Sequence, residues 1–128
     1  MVELTNAQFE MVQKYAALLD TIEEGFEYIE ESFTNYERTQ GDVVLADIFT
    51  AFGRISQTNV HLSKILAEDE EIVRHLQLFS GVLEEAYKLD GKLDDQNFKQ
   101  QVVQNHLSPA FQAWKLSIQQ SLKKYIEQ

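Results

Sequence analysis

The stretch TNAQFEMVQKYAALLDTIEEGFEYIEESFTNY, Thr5 to Tyr36, decides the fold. Phe9, Val12, Ala16, Leu19, Ile22, Phe26, Ile29 and Phe33 recur in it at steps of three and four. That is the period of a helix with one apolar stripe turned to a core. No proline interrupts the stretch, so at about 1.5 Å per residue it makes a rod of roughly 48 Å. In a chain of 128 residues such a rod needs partners of comparable length folded back along it.

The start of the rod is marked by Thr5 and Gln8, spaced for a capping box. Asn35 to Asp42, with Gly41, breaks the pattern and supplies a first turn. A second helix is predicted from about Asp42 to Ala67, with the stripe Leu45, Ile48, Phe52, Ile55, Asn59, Leu62 and Leu66. Asn59, the polar member of that stripe, reads as a buried group that sets helix register. Glu68-Asp69-Glu70-Glu71 ends the second helix and places acids at the positive end of a third. The third carries Ile72, Leu76, Phe79, Leu83 and Ala86 or Tyr87, and is expected to stop at Asp90-Gly91 with Gly91 as the residue after the cap. Asp94 is the expected N-cap of a fourth helix bearing Phe98, Val103, Leu107, Phe111, Trp114, Ile118, Leu122 and Tyr125. Its stripe keeps phase across Pro109, which favours one kinked helix; Ser108 as a fresh cap with Pro109 at the first helical position is the competing local break. Connections of a few residues make sequential helices antiparallel neighbours. The expectation is one all-α domain over residues 1–128, an up-down-up-down four-helix bundle with the fourth helix kinked or broken near Pro109.

Composition agrees with a single folded domain. Hydrophobic residues make up 44% and charged residues 25%, with five glycines and one proline. Cysteine is absent, which excludes disulfides, thiolate metal sites and cysteine nucleophiles. The opening Met-Val-Glu-Leu-Thr lacks the basic and apolar regions of a signal peptide, and no apolar run is long enough for a membrane span. A cytoplasmic protein is expected. The net charge of −10 is unevenly placed: residues 1–37 hold nine acids against one base, and residues 92–128 three acids against five bases. Such a surface repels nucleic acid and anionic lipid and admits a basic partner.

Asp20, Glu23, Glu24, Glu27, Glu30 and Glu31 fall on the side of the first helix opposite its core stripe. They read either as a solvated face or as a docking strip for a basic amphipathic segment. Like charges at these spacings destabilise a helix, and only Lys14 offsets them within it. Met11, Tyr15, Leu18 and Leu78 are spare apolar positions, three of them a second edge on the first helix, and suggest a homodimer contact. Gly25, Gly53, Gly81 and Pro109 recur every 28 residues, each near the middle of a helix. They read as sites of close packing or as a weakened waist.

No constellation names a reaction. Glu71 and His75 are four apart with no second such pair, and His61 and His106 stand alone, so no metal or cofactor is expected. Serines and histidines occur without a nucleophile elbow, and glycines never cluster before a helix as phosphate loops require. Aromatics at helical spacing read as core.

Arg54, with six residues between it and His61, resembles the arginine–histidine motif of HEPN-domain ribonucleases, which are also small helical bundles. That resemblance implies a dimer-interface site in which Arg54 and His61 act on the RNA 2′-hydroxyl and phosphate. Ile55 follows the arginine where that family usually has a polar residue. Separately, Leu18-Leu19-Asp20-Thr21-Ile22-Glu23-Glu24-Gly25-Phe26-Glu27-Tyr28-Ile29, followed by the second helix, looks like small uncharacterised helical-bundle proteins of Gram-positive bacteria. That likeness implies fold and location and brings no activity. The sequence therefore leads to a non-enzymatic interaction module, an adaptor, small regulator or chaperone-like binder of a basic or amphipathic protein, with the HEPN-like ribonuclease as the alternative.

Overall fold

A computed structural model describes residues 2–35 and 39–127. Tyr36, the last residue of the opening stretch, lies outside the described residues, as does part of the expected first turn. The described chain is all-α, without strands. Four helical rods form it, two of them segmented: α1 (Asn6–Ser32), α2 (Gly41–Ile65), α3 (Glu70–Gln77) with α4 (Phe79–Tyr87), and α5 (Gln96–Val102) joined to α6 (Ser108–Ile126).

Local signals account for most boundaries. Thr5 accepts from the Gln8 amide while the Gln8 side chain accepts from the Thr5 amide, a complete capping box. Asp69 caps α3 by accepting from the Ile72 amide. The cap of α5 is Asp95, which accepts from the Phe98 amide at 3.1 Å, one residue later than the expected Asp94. The third rod is interrupted at Leu78, and α4 ends at Tyr87, before the expected Asp90. Gly91 consequently closes the following turn instead of standing next to the helix cap; its φ of +71° is the left-handed region that glycine enters without strain.

Near Pro109 the backbone stays right-handed helical but passes through a π-helical turn, Val103–Leu107. Proline has no amide hydrogen to give the Asn105 carbonyl, and its ring crowds that carbonyl. The Ser108 amide bonds instead to the Val103 carbonyl, a five-residue step that widens the turn. Ser108 is buried with helical φ and ψ, so it does not stand as the non-helical cap of a fresh helix.

In α1 the buried positions are Val12, Tyr15, Leu19, Ile22, Phe26 and Ile29, and in α2 Leu45, Ile48, Phe52, Ile55, Asn59 and Leu62. Both sets alternate steps of three and four without a slip, the repeat that lets two helices interlock along their length. Tyr15 thus takes the core place expected of Ala16. At mid-height rings from four rods meet: Phe52 lies 6.3 Å from Phe26, 5.5 Å from Phe79 and 5.9 Å from Phe111 between ring centres. Trp114 extends the layer, 4.6 Å from Phe79, and its indole donates to the His75 carbonyl at 2.8 Å. Lower down, the buried Tyr15 hydroxyl donates to Asn59 Oδ1 at 2.6 Å, and Asn59 Nδ2 donates to the Leu76 carbonyl at 3.5 Å. This chain satisfies the polar groups it buries and ties three rods to one register.

The four helix-breaking residues of the 28-residue repeat sit beside the aromatic layer, but they differ in surroundings. A Cβ on Gly25 would stand 3.2 Å from Ile48 Cδ1, so here α1 and α2 approach closely. Gly53 and Gly81 are exposed, with nothing within 4 Å of an added Cβ. Gly53→Ala and Gly81→Ala should each stabilise the fold by about 0.5–1 kcal/mol, since alanine restricts the unfolded chain and favours helix. Gly25→Ala should gain less or lose, because Ile48 must move. Phe52→Ala should cost about 3–5 kcal/mol by emptying the centre of the ring layer. Denaturant titration of the four variants measures all of this; equal responses at the three glycines would refute the packing distinction.

Candidate functional site

Two surfaces stand out, one acidic and one apolar. Of the acidic side chains on α1, Glu24, Glu27 and Glu31 are exposed and Glu30 is half-buried. Asp20 and Glu23 instead converge on Lys115 of α6, whose buried ammonium lies 3.0 Å from Asp20 Oδ1 and is hydrogen-bonded to Glu23 Oε2. Burial alone would lower the Lys115 pKa, but the bonds from both carboxylates hold it above its ordinary value. Hydrogen bonds from Gln119 and Lys115 hold the Asp20 carboxyl below the usual aspartate value, against a smaller opposing effect of burial. The six-residue strip is thereby divided: its α6-facing pair is engaged in holding α1 to α6, and its outer members carry the surface charge.

The apolar surface lies between α2 and α4, which meet only sparsely. A recess of about 490 Å³ opens there, lined by Phe49, Phe52, Gly53, Leu83 and Tyr87 among others, with Asp90 at its end. A second recess of about 200 Å³ continues along α2 past Ser56, Val60 and Ser63. Tyr87 is 68% exposed and Val60 60% exposed, so large apolar side chains line the groove in contact with water. Among the described residues no lysine or arginine lines either recess. The core stripe of α2 does not signal this groove, which lies beside it. A second stripe was legible beside it: Phe49, Gly53, Ser56 and Val60 follow each other at helical steps, half of them small.

Among the expected dimer-edge residues, Met11, Tyr15 and Leu18 line one recess of about 480 Å³ between α1 and α2, together with Arg54, Gln57 and Thr58. Leu78 does not join them; it stands 57% exposed at the junction of α3 and α4. Tyr15 is a correction to the expected edge, because it is 3% exposed with its hydroxyl bonded to Asn59. Burial pushes its phenol pKa well above the ordinary range, so it serves the core as a neutral donor. Met11 and Leu18 are half-buried against the core.

Arg54 and His61 are both exposed on α2. Seven residues apart, they share one face with a rise of roughly 10 Å between them. His75 is bonded through Nδ1 to Ser121 Oγ at 2.6 Å, joining α3 to α6, and His106 is exposed in the π turn. Among the described residues no group of three or more histidine, aspartate or glutamate side chains is placed to hold a metal ion. No described helix is long and apolar enough to cross a membrane.

Residues 10–117 match a family model described as "Domain of unknown function (DUF8042)". The comparison with curated proteins finds no match, and the comparison with solved structures finds none.

The lower end of the molecule is held by one carboxylate. Asp69 caps α3 and accepts from Tyr125 Oη and Lys124 Nζ, both at 2.8 Å. Burial on its own would raise the Asp69 pKa; the bonds from Lys124, Tyr125 and the Ile72 amide outweigh it and hold the carboxyl below the ordinary aspartate value. Because the folded value is the lower one, this contact contributes fully above the ordinary aspartate value and is lost as pH falls through the depressed value. Asp69→Asn should therefore destabilise the protein at neutral pH, with the gap to wild type narrowing as pH falls below the ordinary aspartate range. Denaturant titrations across that range test it; a gap independent of pH would show that the charge contributes nothing.

Proposed function

The chain belongs to the DUF8042 family, and we propose that it acts as a non-enzymatic intracellular interaction module, an adaptor or chaperone-like binder whose partner is a basic, amphipathic protein segment. The single observation that carries this reading is the outer acidic face of α1: Glu24 and Glu27 project from a chain of net charge −10 after Lys115 has engaged Asp20 and Glu23. Such a field draws cationic partners and accelerates their encounter, and it repels nucleic acid. The scaffold of this reading is an up-down-up-down antiparallel bundle bent near Pro109. The pairing of Tyr15 with Asn59 and the approach of Gly25 to Ile48 support that direction of α2 along α1.

Capture of partners by the tagged full-length protein from its native lysate, at low and high salt, tests the proposal. A basic protein should be retained at low salt and released at high salt, and Glu24→Lys with Glu27→Lys should abolish its retention. Capture indifferent to both salt and charge reversal would refute the electrostatic reading.

A second reading rests on the shared exposed face of Arg54 and His61. It makes the protein a HEPN-like ribonuclease. It requires cleavage of RNA by the purified protein and loss of that cleavage in His61→Ala; intact RNA after prolonged incubation would dismiss it.

A further inference from the structure

We propose that the groove between α2 and α4 is the docking site of the interaction module, and that its occupant is a single amphipathic helix with a basic polar face, one bulky apolar side chain of which seats over Gly53. This deepens the interaction reading and rests on it.

The argument starts from the missing Cβ. Gly53 lines the groove and is exposed, with nothing within 4 Å of the position a side chain would take. The walls there are apolar and aromatic: Phe49 and Phe52 of α2 on one side, Leu83 and Tyr87 of α4 on the other. A floor of small residues between walls of large ones is what an incoming Leu, Phe or Trp anchor requires. Along α2 the groove runs from Phe49 to Ser63. At 1.5 Å per residue that is roughly 21 Å, the length of a helix of about four turns. An amphipathic helix of that length presents apolar side chains at the spacing of Phe49, Gly53, Ser56 and Val60.

Charge selects among occupants. Among the described residues Asp90 is the only charged one lining either recess, and no cation lines them. The molecule as a whole carries −10, so a second copy meets mutual repulsion while a basic helix meets attraction. The acidic face of α1 borders α6 through Lys115, whereas the groove borders α2 and α4. One short helix therefore does not lie on both. The acidic face contributes to the encounter, and the groove makes the contact.

The test uses full-length protein and three fluorescently labelled 18-residue peptides. One is a leucine–lysine helix with a single apolar face, one is its leucine–glutamate counterpart, and one is a scrambled leucine–lysine peptide without a face. Anisotropy should show binding of the first alone. Gly53→Leu, which fills the groove from an exposed helical position, should weaken that binding at least tenfold while leaving the melting temperature unchanged or higher. The double variant Val60→Asn/Tyr87→Ser, at two positions more than half exposed, should weaken it as well. Equal binding of the scrambled peptide, or of the glutamate peptide, would overturn the basic amphipathic occupant. Binding that Gly53→Leu leaves intact but Glu24→Lys/Glu27→Lys removes would overturn the groove while sparing the interaction reading. A dimer by sedimentation that Gly53→Leu dissociates would overturn the partner helix in favour of a second copy.

Discussion

Phe52 touches rings from all three other rods, and the remainder of the molecule is arranged so that this contact can form. Phe26, Phe79 and Phe111 reach it only if α1, α4 and α6 arrive at the same level. Offset and edge-on ring pairs of this kind add to plain burial and restrict rotation about each helix axis. The Tyr15–Asn59–Leu76 hydrogen bonds then settle which residues of α1, α2 and α3 stand opposite one another. A slip of one turn would leave the Asn59 amide buried without partners, at a cost comparable to a lost core side chain. Rings supply the cohesion, and the polar chain supplies the register.

Away from the ring layer the rods are joined by single charged groups. Lys99 is 3% exposed and gives its ammonium to Asp42 at 2.6 Å, joining α5 to the first turn of α2. Lys115 performs the same role between α6 and α1, and Asp69 between α3 and the last turn of α6. Each of these links a residue of one rod to a rod distant in sequence. None bridges α2 and α4, the seam where the groove opens. Side-chain links between α2 and the third rod include the Asn59–Leu76 hydrogen bond and the Phe52–Phe79 ring contact, with no ion pair between α2 and α4 among the described residues.

This arrangement explains how an acidic protein keeps so many carboxylates on one helix. Acids at spacings of three and four on α1 oppose its formation. Lys115 relieves two of them by burying its stem against the core and offering its head to both. Glu24 and Glu27 remain exposed and carry surface charge outward from α1. Apolar exposure is local as well: Tyr87 and Val60 remain in contact with water where α2 and α4 meet sparsely.

Periodicity alone determined the four rods, since burial of a stripe every 3.6 residues depends only on local spacing; in α1 Tyr15 takes the place of Ala16, and Phe9 and Phe33 at the ends of the expected stripe are only half-buried. The capping box of Thr5 and Gln8 was equally local. Tertiary structure decided what local spacing does not carry. The π turn follows locally from the amide hydrogen that Pro109 lacks, whereas the break at Leu78 has no counterpart in the spacing of the third rod. Lys115 finds Asp20 and Glu23 more than ninety residues away in the chain, which no pattern within a helix signals. The groove between α2 and α4 is likewise a property of two surfaces together: Phe49, Gly53, Ser56 and Val60 form an unremarked stripe until Leu83 and Tyr87 stand across from them. Helices are written in the sequence because their hydrogen bonds are local, whereas ion pairs and grooves arise between segments that only the folded core brings together.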